Sequence, residues 1–157
     1  MYAKAVRGRT IYYCAEDNGL KMLNFSDKSI SNIINSKMSV FYYIATSGNK
    51  FYYTNNKTNT VTCCDLHGTT KWEFNDERVL RAPHGISVDN DGNVYVVGYV
   101  SDNVVVIFPN GQRHRQLLCD KDGLFKPTIL DYDRSTNRLL VVNQKCGAFL
   151  FYVTRRQ

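Results

Sequence analysis

The chain has 157 residues, the length of one ordinary domain, and its 43% hydrophobic and 22% charged residues favour a globular protein over a disordered polypeptide. No apolar run is long enough to span a bilayer. Lysine and arginine outnumber aspartate and glutamate by 20 to 14, so the net charge is +6. This excess favours polyanionic partners such as RNA or an acidic protein surface, although it also serves solubility.

The cysteines predict free thiols rather than a disulfide framework. Residues 63 and 64 are adjacent on a predicted strand and therefore point to opposite faces, which suits neither chelation nor an ordinary disulfide. The first nine residues lack the apolar segment of a signal peptide. We therefore expect the protein to lie in a reducing compartment, the cytoplasm, with five free thiols at Cys14, Cys63, Cys64, Cys119 and Cys146.

Short strands separated by tight turns follow one another along the first half of the chain. The N-terminal segment predicts strands at residues 2–6, 10–15, 20–25 and 29–34. The next segment predicts strands at 40–46, 50–54, 60–66 and 69–74, with turns at Ser47-Gly48-Asn49 and His67-Gly68. Each segment is thus expected to form a four-stranded antiparallel meander.

The second half repeats this organisation more clearly. Strands are predicted at 84–90, 93–99, 103–108 and 112–119, and Pro109-Asn110-Gly111 is a strong hairpin signal. The last segment predicts strands at 127–133, 138–143 and 147–154 only. Inner strands such as 94–97 and 104–107 are continuously apolar, as expected when both faces of a sheet are covered.

The spacing of these units predicts a β-propeller. Equivalent second-strand positions are separated by 40, 43 and 45 residues, which matches the period of propeller blades, at Tyr12, Tyr52, Tyr95 and Leu140. A β-sandwich is the structural alternative, but it would not explain a fixed period. The fold class is therefore all-β, with blades of four antiparallel strands at approximately 1–36, 37–78, 79–120 and 121–157.

The last blade lacks its outer strand in this prediction. A self-sufficient four-bladed ring would leave that blade short, and no spare strand precedes the first unit. Because closed propellers cover their strand edges, we expect the chain to be part of a longer propeller.

Residues 80–118 resemble an NHL repeat. The resemblance is carried by Pro83 and Gly85 before the first strand, the Val-Asp-x-x-Gly-Asn-Val-Tyr-Val sequence of residues 88–96, and the Val-Ile-Phe of residues 106–108 before a Pro-Asn-Gly turn. The other three units are degenerate. NHL repeats usually form six-bladed rings, so the resemblance implies a fragment of a six-bladed propeller.

The overall character is similar to the C-terminal regions of tripartite-motif (TRIM) ubiquitin ligases. In these proteins a RING finger, B-boxes and a coiled coil precede the propeller. The cysteines here lack zinc-finger spacing. The resemblance therefore implies that ligase activity and coiled-coil oligomerisation would belong to a longer parent protein, and that this chain would select the substrate or RNA.

Loops that join the fourth strand to the next first strand, and the second strand to the third, share one face of a propeller. This rule predicts a basic face with an aromatic ring or imidazole for stacking on bases, a combination that holds single-stranded RNA in other proteins. Its candidate binding residues are Arg78, Arg81, His84, Tyr99, Ser101, Asn56, Lys57, Lys126 and Lys145, with Asn55, Lys121 and Gln144 nearby. The alternative is that these are solvated loop residues.

A catalytic interpretation is weaker. The three histidines fall in different contexts, without a metalloprotease or serine-hydrolase motif. A metal-dependent hydrolase or lactonase would need carboxylates and amides around the central channel, where Asp89, Asp131 and Asn143 are conceivable, although Asp89 also suits a turn. We expect neither a cofactor nor catalysis, and instead a protein or single-stranded RNA partner and no membrane.

Overall fold

The structure, a computed structural model, describes residues 4–15, 18–35, 43–145 and 147–154. Its strands are β1 (Lys4–Arg7), β2 (Thr10–Cys14), β3 (Leu20–Asn24), β4 (Ile30–Ile34), β5 (Ile44–Ser47), β6 (Lys50–Asn55), β7 (Thr60–Asp65), β8 (Thr70–Phe74), β9 (Pro83–Val88), β10 (Val94–Gly98), β11 (Asn103–Ile107), β12 (His114–Leu118), β13 (Pro127–Asp133), β14 (Arg138–Asn143) and β15 (Ala148–Tyr152). A short 3-10 helix spans Asp120–Asp122.

The strands form four antiparallel meanders, which confirms the predicted blades. Blade 1 contains β1 to β4, blade 2 contains β5 to β8, blade 3 contains β9 to β12, and blade 4 contains β13 to β15 among the described residues. Within each blade, strands that are consecutive in the sequence pair with each other. Two parts of the predicted strands, at residues 2–3 and 40–42, lie outside the described residues, as does Cys146.

The inner strands are apolar because each blade packs against a neighbour on both faces. In blade 3, Val94 and Val96 face blade 2, while Tyr95 and Val97 face blade 4. These four side chains are buried. Complete burial explains the continuous apolar runs of the sequence, since a strand with one solvated face would alternate.

The first strands of consecutive blades lie side by side around a common axis. β1 packs beside β5, β5 beside β9, and β9 beside β13. Gly85 permits the last of these contacts, because a Cβ at this position would lie 2.6 Å from the backbone nitrogen of Leu130. Packing of comparable extent does not join blade 4 to blade 1 within the described part of the chain.

Outer strands contribute further contacts between blades. The indole Nε1 of Trp72 in blade 2 donates a hydrogen bond to the carbonyl of Pro109 in blade 3, at 3.0 Å. The ring also covers Gly111. Trp72 therefore packs between blades 2 and 3. No helix among the described residues has the length and hydropathy needed to cross a membrane.

Candidate functional site

The candidate site is the entry face, defined as the loops that precede each first strand together with the turns that join each second strand to the third. In blade 3, the amides of Tyr99 and Val100 donate to the carbonyls of Ala82 and Arg81, at 3.0 and 3.2 Å. In blade 4, Gln144 makes the equivalent bond to Lys126. Both blades therefore hold their entry loop against their own turn.

The entry loops are also tied to the preceding blade. The Asn59 side-chain oxygen of blade 2 accepts the amide of Ala82 at 2.7 Å, and the Asp102 carboxylate of blade 3 accepts the amide of Lys126 at 2.6 Å. All four residues have positive φ angles, between 46° and 56°. Asn and Asp tolerate this conformation better than most residues. We call the boundary between two neighbouring blades a seam. The seam between blades 2 and 3 and the seam between blades 3 and 4 thus contain the same side-chain to backbone hydrogen bond.

This connection places Lys126 of blade 4 above aromatic rings from two blades. Its ammonium nitrogen lies 5.7 Å from the ring centroid of Tyr99 and 5.7 Å from that of Phe125. The Tyr99 hydroxyl donates to Gln144 at 2.8 Å, which fixes the ring. Phe125 is 57% exposed, a large fraction for this residue type. A cation and an open aromatic face are therefore available to a ligand at this seam.

His84 does not serve as an exposed platform, contrary to the sequence prediction. It is only 7% exposed, because the rings of Tyr43 and Tyr99 pack edge-on against it, with centroids at 5.6 and 4.6 Å. Burial lowers the pKa of His84, which favours the neutral imidazole. The residue is therefore a packing element under the entry face, and it supports Tyr99.

Arg81 and Ser101 are brought together by a buried asparagine. The amide of Arg81 donates to the Ser101 hydroxyl at 3.1 Å, and that hydroxyl donates to the Asn103 side-chain oxygen at 2.7 Å. Asn103 in turn donates to the carbonyl of Val79 at 2.7 Å. Gly98 leaves room for this cluster, since a Cβ there would collide with both polar side chains. The Arg81 side chain is left exposed.

The other predicted residues lie on loops of the entry face, but no described contact joins them to the seam between blades 3 and 4. Arg78 makes a bidentate ion pair with Asp76, at 2.9 and 2.8 Å, which reduces its availability to a ligand. The hydrogen bond from Arg78 lowers the pKa of Asp76. Asn56 is half-buried, whereas exposed side chains are presented by Lys57, Lys145 and Lys121.

Sequence reasoning missed Phe125 and the turn residues that hold the loops. A signal was present, because the entry segments of blades 3 and 4 share a Leu-x-x-Pro pattern that begins at Leu80 and at Leu124. Both leucines are buried. The pattern makes Phe125 equivalent to Arg81, and this equivalence identifies the outward position of each entry loop.

The opposite end of the axis holds a concave region of about 570 Å³, between the first strands of all four blades. Arg7 and Arg134 both line it. Arg134 donates to the backbone carbonyls of Val88 at 2.9 Å and Thr46 at 3.2 Å, and Arg7 donates to the Asn49 side-chain oxygen at 3.0 Å. These bonds stabilise the seams between blades. Because the Arg134 guanidinium already makes these hydrogen bonds, it is less available to a ligand. The entry face is therefore the better candidate for a binding site.

The three residues considered for a metal do not converge. Asp89 lies in the turn after β9 and accepts from the amides of Asp91 and Asn93, both at 2.9 Å. Asn143 lies opposite Pro127, at the other end of the first strands, and bonds to Phe125 and Gly123. The two ends of β13 are about 20 Å apart for a strand of this length. Among the described residues, no three His, Cys, Asp or Glu side chains form a possible metal cluster.

A cluster of basic residues, 113–115, lies at the start of the outer strand β12. Arg113 and Arg115 are exposed there, and Arg113 stacks over the Phe108 ring at 5.3 Å. His114 packs edge-on against Phe74 of the neighbouring blade, with centroids 5.1 Å apart. This cluster therefore belongs to the rim and not to the entry face.

Comparisons with known proteins agree with this architecture. A family described as "Beta-propeller repeat" matches residues 82–99, and no curated protein matches the sequence significantly. Among solved structures, a chain of the nidogen/laminin complex is similar with 21% identity and a TM-score of 0.77, over 90% of this chain and 56% of that one.

Two further solved structures extend the likeness. A streptogramin B lyase is similar with 12% identity and a TM-score of 0.70, over 97% of this chain and 54% of the lyase. BamB from Moraxella catarrhalis is similar with 13% identity and a TM-score of 0.75, over 98% and 44%. The chain thus spans about half the length of these relatives, and at such identities the likeness concerns the fold alone.

Proposed function

We propose that this propeller module is a non-catalytic recognition module whose entry face binds a polyanionic partner, either single-stranded RNA or an acidic segment of a protein. The observation that carries the proposal is the seam between blades 3 and 4. There the Lys126 ammonium lies over Tyr99 and beside the exposed Phe125 ring. A cation next to an open aromatic face suits both partners.

For RNA, the arrangement supplies the two elements that sequence-tolerant binding needs. An exposed aromatic ring stacks on a base, and nearby cations neutralise phosphates. Lys126 and Arg81 are both exposed and lie at successive seams of the same face. For a protein partner, Phe125 and the exposed Val100 would be apolar anchors within a basic surface.

The NHL resemblance extends the proposal to a cellular role. The chain would be the substrate- or RNA-selecting end of a TRIM-type ubiquitin ligase, with ubiquitin transfer performed by a RING module elsewhere in the parent protein. A cytoplasmic location is consistent with Cys14, Cys63 and Cys64, which are buried free thiols.

The test is fluorescence anisotropy with two labelled probes, a single-stranded RNA of random sequence and a polyglutamate peptide, each titrated over a range of salt concentrations. Binding should weaken as salt rises, because ion contacts release counterions. Binding of only one probe identifies the partner class. If neither probe binds at low salt, the proposal is wrong.

Two variants locate the binding to the entry face. Lys126→Ala introduces the residue that already occupies the equivalent position, Ala82, whose φ of 47° matches the 46° of Lys126. It should lower the salt slope for RNA by about 0.7, the value expected for one phosphate contact. Phe125→Ala should weaken RNA binding about tenfold or more through lost stacking. Arg115→Ala, on the rim, is the control and should leave both quantities unchanged.

A further inference from the structure

The entry face is one continuous strip of loops across blades 2 to 4. The turn after β6 is joined to the entry loop of blade 3 by the bond between Asn59 and Ala82, and the turn after β10 is joined to the entry loop of blade 4 by the bond between Asp102 and Lys126. Within blades 3 and 4, backbone hydrogen bonds hold each entry loop against its own turn. Consecutive segments of the strip therefore lie side by side on the surface.

The three turns of this strip differ at one equivalent position. Counted from the equivalent second-strand residues, this position is Lys57 in blade 2, Val100 in blade 3 and Lys145 in blade 4. All three side chains are exposed. Lys57 and Val100 stay exposed although another blade follows each of theirs, so the exposure belongs to the turn position itself. The row of turns thus reads cation, apolar residue, cation.

The middle of the strip is an apolar centre, formed by Val100 and Phe125. These side chains are 50% and 57% exposed. They lie on the two segments that the bond between Asp102 and Lys126 holds together. Phe125 takes the position that Arg81 has in the entry loop of blade 3, so both the turn and the entry loop carry an apolar residue at this seam. Asp102, which is partly exposed beside them, adds a negative charge.

Cations lie on both sides of the apolar centre. The first flank is Lys57 and Arg81, on segments joined at the seam between blades 2 and 3. The second flank is Lys126 and Lys145, on segments joined by the backbone bond from Gln144 to Lys126. All four side chains are exposed, and among the described residues none of them makes an ion pair. They are therefore available to carboxylates of a partner.

This pattern suits a protein segment better than RNA. A nucleic-acid strand carries a phosphate on every nucleotide, so a cationic groove that follows the whole backbone suits it. Here Val100 interrupts the cations, offers no ring for a base to stack on, and lies beside the Asp102 carboxylate. Protein interfaces, in contrast, combine an apolar centre with a polar rim. The strip has this organisation.

We propose that the entry face binds a protein segment in which apolar residues are flanked on both sides by acidic residues. This inference rests on the proposed recognition function and narrows it to one class of partner. The apolar side chains of the segment pack on Val100 and Phe125, where water is most fully excluded and most of the affinity arises. Its carboxylates pair with the two flanks, which set the position of the segment and increase the association rate.

The test compares two fluorescently labelled peptides of identical composition and charge. The centred peptide is Glu-Glu-Glu-Leu-Phe-Glu-Glu-Glu, and in its isomer the Leu and Phe stand at opposite ends. In anisotropy titrations of the full chain, the centred peptide should bind at least about tenfold more tightly, since only it places both apolar side chains on the centre. The polyglutamate and random RNA probes are titrated in parallel.

Variants assign this preference to the strip. Val100→Lys introduces the residue that blades 2 and 4 carry at this position, so it should fold, and it should remove most of the preference while polyglutamate binds as well or better. Lys57→Ala and Lys145→Ala, one from each flank, should each weaken the centred peptide about two- to fivefold, as expected for exposed ion pairs. Arg115→Ala, on the rim, is the control and should change neither peptide.

The outcomes separate this inference from the function on which it rests. Equal binding of the two peptides, or a preference that survives Val100→Lys, overturns the inference, although binding of polyglutamate would still support a recognition module. If only RNA binds, the partner class is wrong while the recognition function stands. If no probe binds at low salt, both are wrong. An effect of only one flank variant would overturn the two-sided pattern.

Discussion

Replacement of Asn103 by leucine tests whether a buried polar cluster shapes the entry face. Asn103 is 2% exposed and makes three side-chain hydrogen bonds, to Val79, Ser101 and Gln116. Leucine has a similar volume, so the change mainly removes these bonds. The exposed Gln116 amide can turn to water, whereas the Val79 carbonyl and the Ser101 hydroxyl lose partners at about 1 kcal/mol or more each. We expect a loss of about 2 kcal/mol in the free energy of unfolding.

Urea denaturation, followed by circular dichroism and by the fluorescence of Trp72, measures this loss. In thermal unfolding, the same loss corresponds to a decrease in Tm of about 4–8 °C for a chain of this length. Asn90→Leu is the matched control, because Asn90 is exposed and donates a single bond, to the Arg134 carbonyl. If the two variants lose equal stability, burial of the cluster is not what makes Asn103 important. Asn103→Leu should also weaken ligand binding at the entry face, since Ser101 no longer positions Arg81.

Three further predictions concern single residues. Gly85→Ala should destabilise the chain by about 2 kcal/mol or more, measured by urea denaturation, because the added methyl overlaps the backbone of β13. Hydrogen bonds from Ser135 and its turn lower the pKa of Asp133 to about 2, below the unfolded value of about 3.9. The carboxylate therefore stabilises the fold above pH 4, and this contribution is lost as the pH falls toward 2, so Asp133→Asn should flatten stability over that range. Burial raises the pKa of Cys14 to about 12, and alkylation followed by mass spectrometry should modify Cys14 more slowly than the partly exposed Cys119.

The architecture was predictable because it depends on local patterns that repeat. Turn residues such as Asn110 and Gly111 mark where strands end, and continuous apolar runs mark strands covered on both faces. A regular period then orders the strands into blades. None of these steps depends on how neighbouring blades are rotated relative to each other. The sequence alone was therefore enough to predict the blades.

The candidate site was predictable only in outline, because its details depend on that rotation. The rule for propeller loops placed Arg81, Tyr99 and Lys126 on one face, but it could not show that Tyr43 of the preceding blade covers His84. The bond from Lys126 to Asp102 likewise joins two blades. Contacts of this kind have no signature at a fixed sequence distance, and they decide which side chains remain available to a ligand.

The seams between blades are therefore the units from which the entry face is built. Asn59 and Asp102 fix two successive seams by the same bond, and the second seam presents the cation and aromatic ring on which the proposed recognition rests.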